Sequence, residues 1–151
     1  MVIEKKRRGE SGRKSPDIQS SHAILIKDDE YVLQLRDDKL SIAAPGQWSL
    51  FGGIKRKDET PLSAVQREIK EELSIEPSDF QYLWFKDYYS SFEKEIIRTY
   101  FFSSDVSSEW PGHKLMEGQA VGIYHIERIR ELDMPPVIRE AIYQYHESRK
   151  N

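Results

Sequence analysis

Three glutamates with helical spacing are the residues of this chain best placed to do chemistry. Glu68, Glu71 and Glu72 stand at i, i+3 and i+4, so a helix over residues 60–73 would put all three carboxylates on one face. Each close pair would repel by roughly a few tenths of a kcal/mol on an isolated helix. Hard divalent cations such as Mg²⁺ prefer oxygen ligands and often sit between carboxylates and substrate phosphates. Three glutamates on one face would by themselves indicate only a solvated surface. A metal site for phosphate chemistry is favoured because Gly53, Glu59 and Arg67 stand at fixed spacings from them.

A longer pattern around these glutamates resembles the signature of the Nudix hydrolases. That signature reads G-x5-E-x7-R-E-U-x-E-E-x-G-U, where U is a bulky aliphatic residue, and the chain matches it from Gly53 to Ile75 with one departure. Ser74 stands where the family has glycine. A left-handed residue often closes a helix at this position, and serine would cost about 1 kcal/mol there. The departure bears on local stability, because no acidic position is changed.

The resemblance implies a role for each polar residue of the signature. It implies a Mg²⁺ or Mn²⁺ ion held by the three helix glutamates and by the carbonyl of Gly53. Glu59 is expected to support the ligands through a contact or a water. Arg67 is expected to pair with a glutamate and fix its rotamer, since such outer contacts orient the ligands.

The residue that removes a proton from the attacking water varies within the family. The candidates here are the helix glutamates Glu71 and Glu72 and the loop residue Glu117. The last belongs to Glu117-Gly118-Gln119, which looks like the Glu-Gly-Gln of the MutT branch. The alternative for Glu117 is an ordinary exposed loop glutamate.

Four further side chains are candidates for binding the substrate. Arg36 could clamp a phosphate through its planar guanidinium, and Arg98 could point into the cleft from an aromatic strand. Trp48 and Phe51 could stack on a base, although packing in the core is the commoner role of such rings. Met134 stands where the MutT branch reads its base with an asparagine, and a thioether cannot replace the amide hydrogen bonds.

The rest of the pattern predicts a mixed β-sheet with helices on both faces. This α/β (α+β) arrangement agrees with the α/β/α sandwich that the resemblance implies. A hairpin is predicted from the first two strands, and another from two aromatic strands joined across residues 89–95. Thr60 and Pro61 are typical of a helix start. The predicted strands are 22–26, 31–35, 48–51 (ending at Gly52-Gly53), 80–88, 96–103 and 121–125, and the predicted helices are 60–73, 126–132 and 137–145.

Charge is distributed unevenly along the 151 residues. Residues 1–14 carry six basic side chains against two glutamates, a net +4, while the whole chain sums to −3. We therefore expect residues 1–19 to form a basic arm and residues 20–151 a single domain. The arm is expected to be solvated and flexible, and the alternative is a contact for RNA or an acidic partner.

Composition excludes several kinds of site. The chain has no cysteine, so disulfides, thiolate metal sites and cysteine nucleophiles are excluded. No apolar run is long enough for a signal peptide or a membrane span, so a cytoplasmic location without a membrane partner is expected.

These patterns favour a pyrophosphohydrolase that cleaves a phosphoanhydride bond in a nucleoside triphosphate or a nucleoside diphosphate sugar. One alternative is a non-catalytic nucleotide-binding module or regulator with the same fold. Another is an enzyme that processes RNA 5′ ends, for which the basic arm would be useful. Nudix enzymes often pair, so the resemblance also makes a homodimer an expectation.

Overall fold

The computed structural model describes residues 15–150. Within this range seven strands form one mixed sheet and three helices flank it. The strands are β1 (Gln19–Lys27), β2 (Glu30–Leu35), β3 (Trp48–Ser49), β4 (Phe51–Ile54), β5 (Gln81–Ser90), β6 (Glu95–Asp105) and β7 (Ala120–Tyr124). The helices are α1 (Pro61–Leu73), α2 (Ile126–Ile129) and α3 (Pro136–Ser148), and a short 3-10 turn covers Trp110–Gly112. The predicted mixed sheet with helices is confirmed.

Most element ends differ from the prediction by one to three residues, and two differences bear on the candidate site. The first strand begins at Gln19, because backbone pairing with β6 extends to Arg98. The segment predicted as one strand over 48–51 is two short strands. It changes partner at Leu50, since β3 pairs with β2 and β4 pairs with β1, so Gly52 and Gly53 lie inside β4 rather than after it.

The sheet divides at β1, because one edge of this strand pairs with two different strands. One edge of β1 pairs in parallel with β6 along its length, and β6 pairs with β5 in the predicted hairpin. The other edge of β1 is divided, because β4 pairs with residues 20–23 and β2 pairs with residues 25–27. β2 pairs with β7 on its far side. The division of β1 between two partners brings β4, and the loop after it, to one end of the sheet.

Each face of the sheet carries its own hydrophobic core. Alternate residues of a strand point to opposite faces, so Ala23 and Leu25 pack with α1 while Ile24 and Ile26 pack with α2 and α3. Val65, Ile69 and Leu73 supply the apolar stripe of α1. This is the α/β/α layering that the pattern predicted.

Helix α1 begins and ends as its sequence suggests. The Thr60 side chain accepts a hydrogen bond from the Ser63 N–H at 3.0 Å, and the Ser63 hydroxyl accepts one from the Thr60 N–H, also at 3.0 Å. At the other end Ser74 adopts the left-handed conformation, with φ 58°, and its N–H donates to the Lys70 carbonyl. The signature glutamates are therefore held on a helix with a defined start and stop.

Residues 1–14, which carry most of the predicted basic arm, lie outside the described residues. In the described part of the chain, no helix has the length and apolarity needed to cross a membrane.

Candidate active site

Arg67 is the centre of an ion-pair network between α1 and the loop that follows β4. Its Nε and Nη2 donate to the two oxygens of Glu59 at 2.6 and 2.9 Å, a bidentate pair. Its Nη1 donates to Glu68 at 3.0 Å and to Glu71 at 3.2 Å, and Nη2 also reaches the carbonyl of Ile54 at 3.1 Å. A single guanidinium thus ties the helix glutamates to the loop that follows β4.

Glu59 holds this guanidinium from the loop side. Its Oε1 also accepts a hydrogen bond from the Arg56 N–H at 2.8 Å. The hydrogen bonds from Arg67, and then that from Arg56, lower the pKa of the Glu59 carboxyl to about 2. Glu59 is therefore ionised near neutral pH and pairs with Arg67, and its supporting role toward a metal site stays a prediction.

Glu72 is a buried carboxylate directed at the backbone of β4. Only 1% of the residue is exposed. Its Oε1 accepts a hydrogen bond from the Gly52 N–H at 2.9 Å. Burial, followed by the negative charges of Glu68 and Glu117, raises the pKa of Glu72 to about 9. In this environment Glu72 has few groups to stabilise its charge.

Glu68 approaches the next residue of the same strand. A Cβ atom built on Gly53 would lie 2.5–2.8 Å from the Glu68 carboxyl group, so only glycine leaves room for that carboxylate. Burial raises the pKa of Glu68, while Arg67 opposes the shift. Gly53 and Glu68 are thus in close approach, and their roles as metal ligands stay predictions.

The tertiary structure brings a distant loop to the helix glutamates. The Met116 N–H donates to the Glu72 carbonyl at 2.8 Å, and the Gln34 Nε2 donates to the Glu117 carbonyl at 3.0 Å. Glu117 is exposed, and its charge raises the pKa of both Glu68 and Glu72. The loop candidate and two of the helix glutamates therefore face the same region.

Gln34 is a residue that sequence reasoning missed. It is 2% exposed, on a strand of otherwise apolar residues, and it holds the loop at Glu117. A polar side chain in the middle of Tyr31-Val-Leu-Gln-Leu was the available signal, because a buried amide needs a hydrogen-bond partner.

The two arginines that are candidates for binding the substrate lie in different parts of the structure. Arg36 follows β2, donates from Nε to the Ala43 carbonyl at 2.7 Å, and carries a charge that lowers the pKa of Glu72. It therefore lies near Glu72, which together with Glu68 and Glu117 we call the acidic cluster. Arg98 instead pairs with Asp87 at 2.7 and 3.0 Å on the β5–β6 hairpin and lies over the Phe85 ring.

The aromatic candidates are occupied by packing. Phe51 is completely buried in the core beneath α1, so its ring offers no surface on which a base could stack. Trp48 packs edge-on against Tyr124, with ring centroids 5.2 Å apart, on the α3 side of the sheet. Met134 is also buried there.

The donor types suit a hard divalent cation, but the carboxylates are not gathered around one point. Within residues 15–150 no three acidic or histidine side chains form a ready metal cage. Arg67 engages Glu68 and Glu71, while Glu72 is turned to Gly52. The buried Glu72 and the half-buried Glu68, which repel each other, are nevertheless the kind of oxygen donors that Mg²⁺ or Mn²⁺ neutralises.

Comparison with known proteins gives the class of this chain. The family model of the NUDIX domain matches residues 18–145. A search of curated proteins found no significant match. Because the family model covers most of the chain, the protein belongs to the NUDIX domain family and is classed as a Nudix hydrolase.

Solved structures share the fold at low sequence identity. A MutT protein from Methanosarcina mazei is 22% identical with a TM-score of 0.75, over 93% of this chain and 100% of that one. A NUDIX hydrolase from Nitrosomonas europaea is 20% identical with a TM-score of 0.72, over 87% and 89%. The NUDIX domain of Shewanella oneidensis NrtR, complexed with ADP ribose, is 16% identical with a TM-score of 0.73, over 93% and 92%.

Proposed function

We propose that this Nudix hydrolase uses Mg²⁺ or Mn²⁺ to cleave a phosphoanhydride bond in a nucleoside triphosphate or a nucleoside diphosphate sugar. The observation that carries the proposal is the burial of Glu72 beside Glu68 and within the field of Glu117. Burying a carboxylate among other carboxylates costs stability unless a cation neutralises them. A purely structural helix would gain nothing from that arrangement.

The residues that would hold the ion are Glu68, Glu71, Glu72 and the carbonyl of Gly53. When bound, a divalent cation neutralises phosphate charge and lowers the pKa of a coordinated water. Glu68 and Glu71 would have to release Arg67 to reach the ion, because its guanidinium engages both carboxylates. We infer that Glu59 keeps Arg67 in place while those two carboxylates turn to their ligand.

Proton removal and phosphate binding fall to residues around this cluster. Glu117 is the exposed carboxylate whose loop is pinned by Gln34, and it is our candidate for accepting the proton of the attacking water. Helix glutamates Glu71 and Glu72 are the alternative bases. Arg36, whose charge reaches Glu72, is the candidate clamp for a substrate phosphate.

The substrate class follows from the chemistry of the site rather than from a base-reading pocket. The buried Phe51 and Met134 give no indication of which base is bound. A nucleoside diphosphate derivative is compatible with this fold, since the NrtR domain that shares it was solved with ADP ribose. The predicted cytoplasmic location stays a prediction.

The test is phosphate release from a panel of nucleoside triphosphates, nucleoside diphosphate sugars and dinucleoside polyphosphates. Each substrate is assayed with Mg²⁺, with Mn²⁺ and with a chelator. Turnover of one class that the chelator abolishes would support the proposal and name the substrate group. A folded protein that is silent across the panel, yet binds ADP ribose by calorimetry, would favour the regulator alternative.

The RNA alternative is tested in the same assay with a triphosphorylated oligonucleotide. A full-length variant with Lys5, Lys6, Arg7 and Arg8 changed to serine is the comparison. If the arm serves RNA processing, this variant loses activity on RNA and keeps its activity on mononucleotides. Equal loss on both would count against a role in RNA binding.

A further inference from the structure

The β5–β6 hairpin carries a row of exposed aromatic and aliphatic side chains on one face. Exposure is 53% at Tyr82, 46% at Phe85, 62% at Tyr89 and 49% at Ile96. Each aromatic side chain of this size presents about 150–250 Å² when free. The four together leave on the order of 400 Å² uncovered, which is as large as the biggest patch on a typical monomer.

A β-bulge is what puts these rings on one face. Tyr82 and Phe85 are three residues apart, and a regular strand would point them to opposite sides. The pairing register shifts between Tyr82 and Trp84, so Tyr82 faces Phe102 and Phe85 faces Tyr100. Ring contacts confirm the shared face, because Tyr100 lies 6.5 Å from Tyr82 and 5.8 Å from Phe85 between ring centroids.

We call this surface the aromatic stripe, and it continues the core under α1. Phe102 belongs to that core and Tyr100 packs against it. Arg98 and Asp87, paired with each other, lie between Phe85 and the outer pair Tyr89 and Ile96. The stripe comprises Tyr82, Phe85, Asp87, Tyr89, Ile96, Arg98 and Tyr100.

We propose that the aromatic stripe is the interface through which two copies of this chain form a homodimer. Its composition is that of an interface centre, which is enriched in Tyr, Phe and Arg and depleted in Lys and Glu. The nearby Lys86 and Glu95 point to the opposite face, and Glu93 and Lys94 lie at the turn, where they would form a polar rim. The stripe shares no residue with the acidic cluster, and the proposal does not depend on the proposed function.

Area and charge both favour a second copy as the occupant. A stable interface buries about 800 Å² per partner. The stripe supplies about half of that as apolar centre, and its rim and the exposed Phe92 at the turn would supply more. Arg98 and Asp87 would enter the interface as a pair, which avoids burying a lone charge.

Other occupants fit the stripe less well. A nucleic acid needs cations for its phosphates, and the only cation of the stripe is already engaged by a carboxylate. The basic arm has few apolar side chains with which to cover the rings, since only Met1, Val2 and Ile3 are apolar among residues 1–14 besides its glycines.

The test is sedimentation equilibrium of the full chain over about a hundredfold range of concentration. We expect a mass that rises toward twice the 17.8 kDa of one chain. Tyr89→Glu and Phe85→Glu should each raise the dissociation constant by about tenfold or more. Leu40→Glu is the matched control, because Leu40 is 93% exposed on the loop after β2 and should leave dimerisation unchanged.

Four results would overturn the proposal. A wild-type chain that stays monomeric throughout would do so, as would a dimer that Tyr89→Glu and Phe85→Glu leave intact while circular dichroism shows both variants folded. Loss of the dimer on changing Lys5, Lys6, Arg7 and Arg8 to serine would assign the contact to the arm. A monomer that binds single-stranded RNA, with affinity lost in Tyr89→Glu, would make the stripe a stacking surface instead.

Discussion

At the scale of single residues, the negative charge of Glu72 lies in an unfavourable environment. It combines near-complete burial with two neighbouring carboxylates and a single hydrogen bond from the Gly52 N–H. Glutamine at this position keeps an oxygen that can accept that hydrogen bond and removes the charge. Glu72→Gln should therefore remove the activity without unfolding the protein.

Glu71→Gln and Glu72→Gln should each lower kcat by about a hundredfold or more, because a ligand for the ion or a proton acceptor is lost. The measurement is initial rates on the substrate identified in the panel. Glu76→Gln is the control, since Glu76 lies just after the same helix and pairs only loosely with Lys70 at 3.7 Å. Unchanged rates in both test variants would remove these glutamates from the site.

Gly53→Ala should raise the Mg²⁺ concentration needed for half-maximal activity by about tenfold, because the new methyl group displaces the Glu68 carboxylate. The side chain it meets is the flexible end of a glutamate, so the fold should survive. Gly112→Ala is the matched control, as nothing lies within 4 Å of its added Cβ. An unaltered metal titration for Gly53→Ala would contradict the close approach on which the ligand role of Gly53 rests.

Because His22 is buried in its neutral form, we expect the free energy of unfolding to fall in acid. Its Nδ1 is buried without a hydrogen-bond partner, and burial, aided by the charge of Arg36, lowers its pKa from 6.5 to about 4. The unfolded chain takes up a proton below about pH 6.5, whereas the folded chain resists until about pH 4. Stability is therefore present above pH 6.5 and falls by on the order of 2–3 kcal/mol as the pH drops to 4.

Urea unfolding across this pH range measures the effect. His22→Gln should flatten the decline relative to the wild type, while His125→Gln, at an exposed position, should keep it. Parallel curves for His22→Gln and the wild type would mean that other groups cause the acid sensitivity.

At the scale of elements, helix α1 ends in a backbone conformation that is unfavourable for its residue type. Ser74 closes it in the left-handed conformation, where a Cβ atom is unfavourable. Ser74→Gly should therefore raise the free energy of unfolding by about 0.5–1 kcal/mol, after allowance for the extra freedom of glycine in the unfolded chain. Activity should not change, because no ligand is touched.

Chemical denaturation of Ser74→Gly measures this gain. Ser78→Gly provides the control, since Ser78 is exposed and is not among the residues with positive φ. It should be neutral or slightly destabilising. A destabilised Ser74→Gly would show that the serine side chain contributes more than its conformation costs.

At the scale of the whole molecule, metal binding and folding should be coupled. An ion that neutralises Glu68 and Glu72 binds only the folded chain, so it stabilises that state by mass action. Saturating Mg²⁺ or Mn²⁺ should raise Tm by several degrees, since about 1 kcal/mol shifts Tm by about 2–4 °C for a chain of this size. Differential scanning calorimetry with and without chelator measures the shift.

Glu72→Gln should show a higher Tm than the wild type in chelator and a smaller rise on adding metal. The first effect comes from removing a buried charge and the second from losing a ligand. A metal-induced rise as large as that of the wild type would place the ion elsewhere.

The sequence alone determined the features that depend on neighbours in the chain. Helical geometry over a few residues accounts for both ends of α1, where Thr60 is the N-cap and a left-handed residue follows Leu73. The same geometry puts Glu68, Glu71 and Glu72 on one face. Hairpins and alternating core faces are equally local, because side chains alternate along a strand. The sequence signature was therefore enough to identify the family and to name the candidate metal ligands.

Only the tertiary structure decided which of the remaining candidates meet. Glu117 approaches Glu72 because its loop hydrogen-bonds to the end of α1, a contact between segments far apart in sequence. Phe51 is buried because its strand changes partner at Leu50, and Arg98 is engaged because β5 places Asp87 opposite it. Such pairings depend on strand order and on how the sheet divides beside β1, and no local spacing of residues encodes that order.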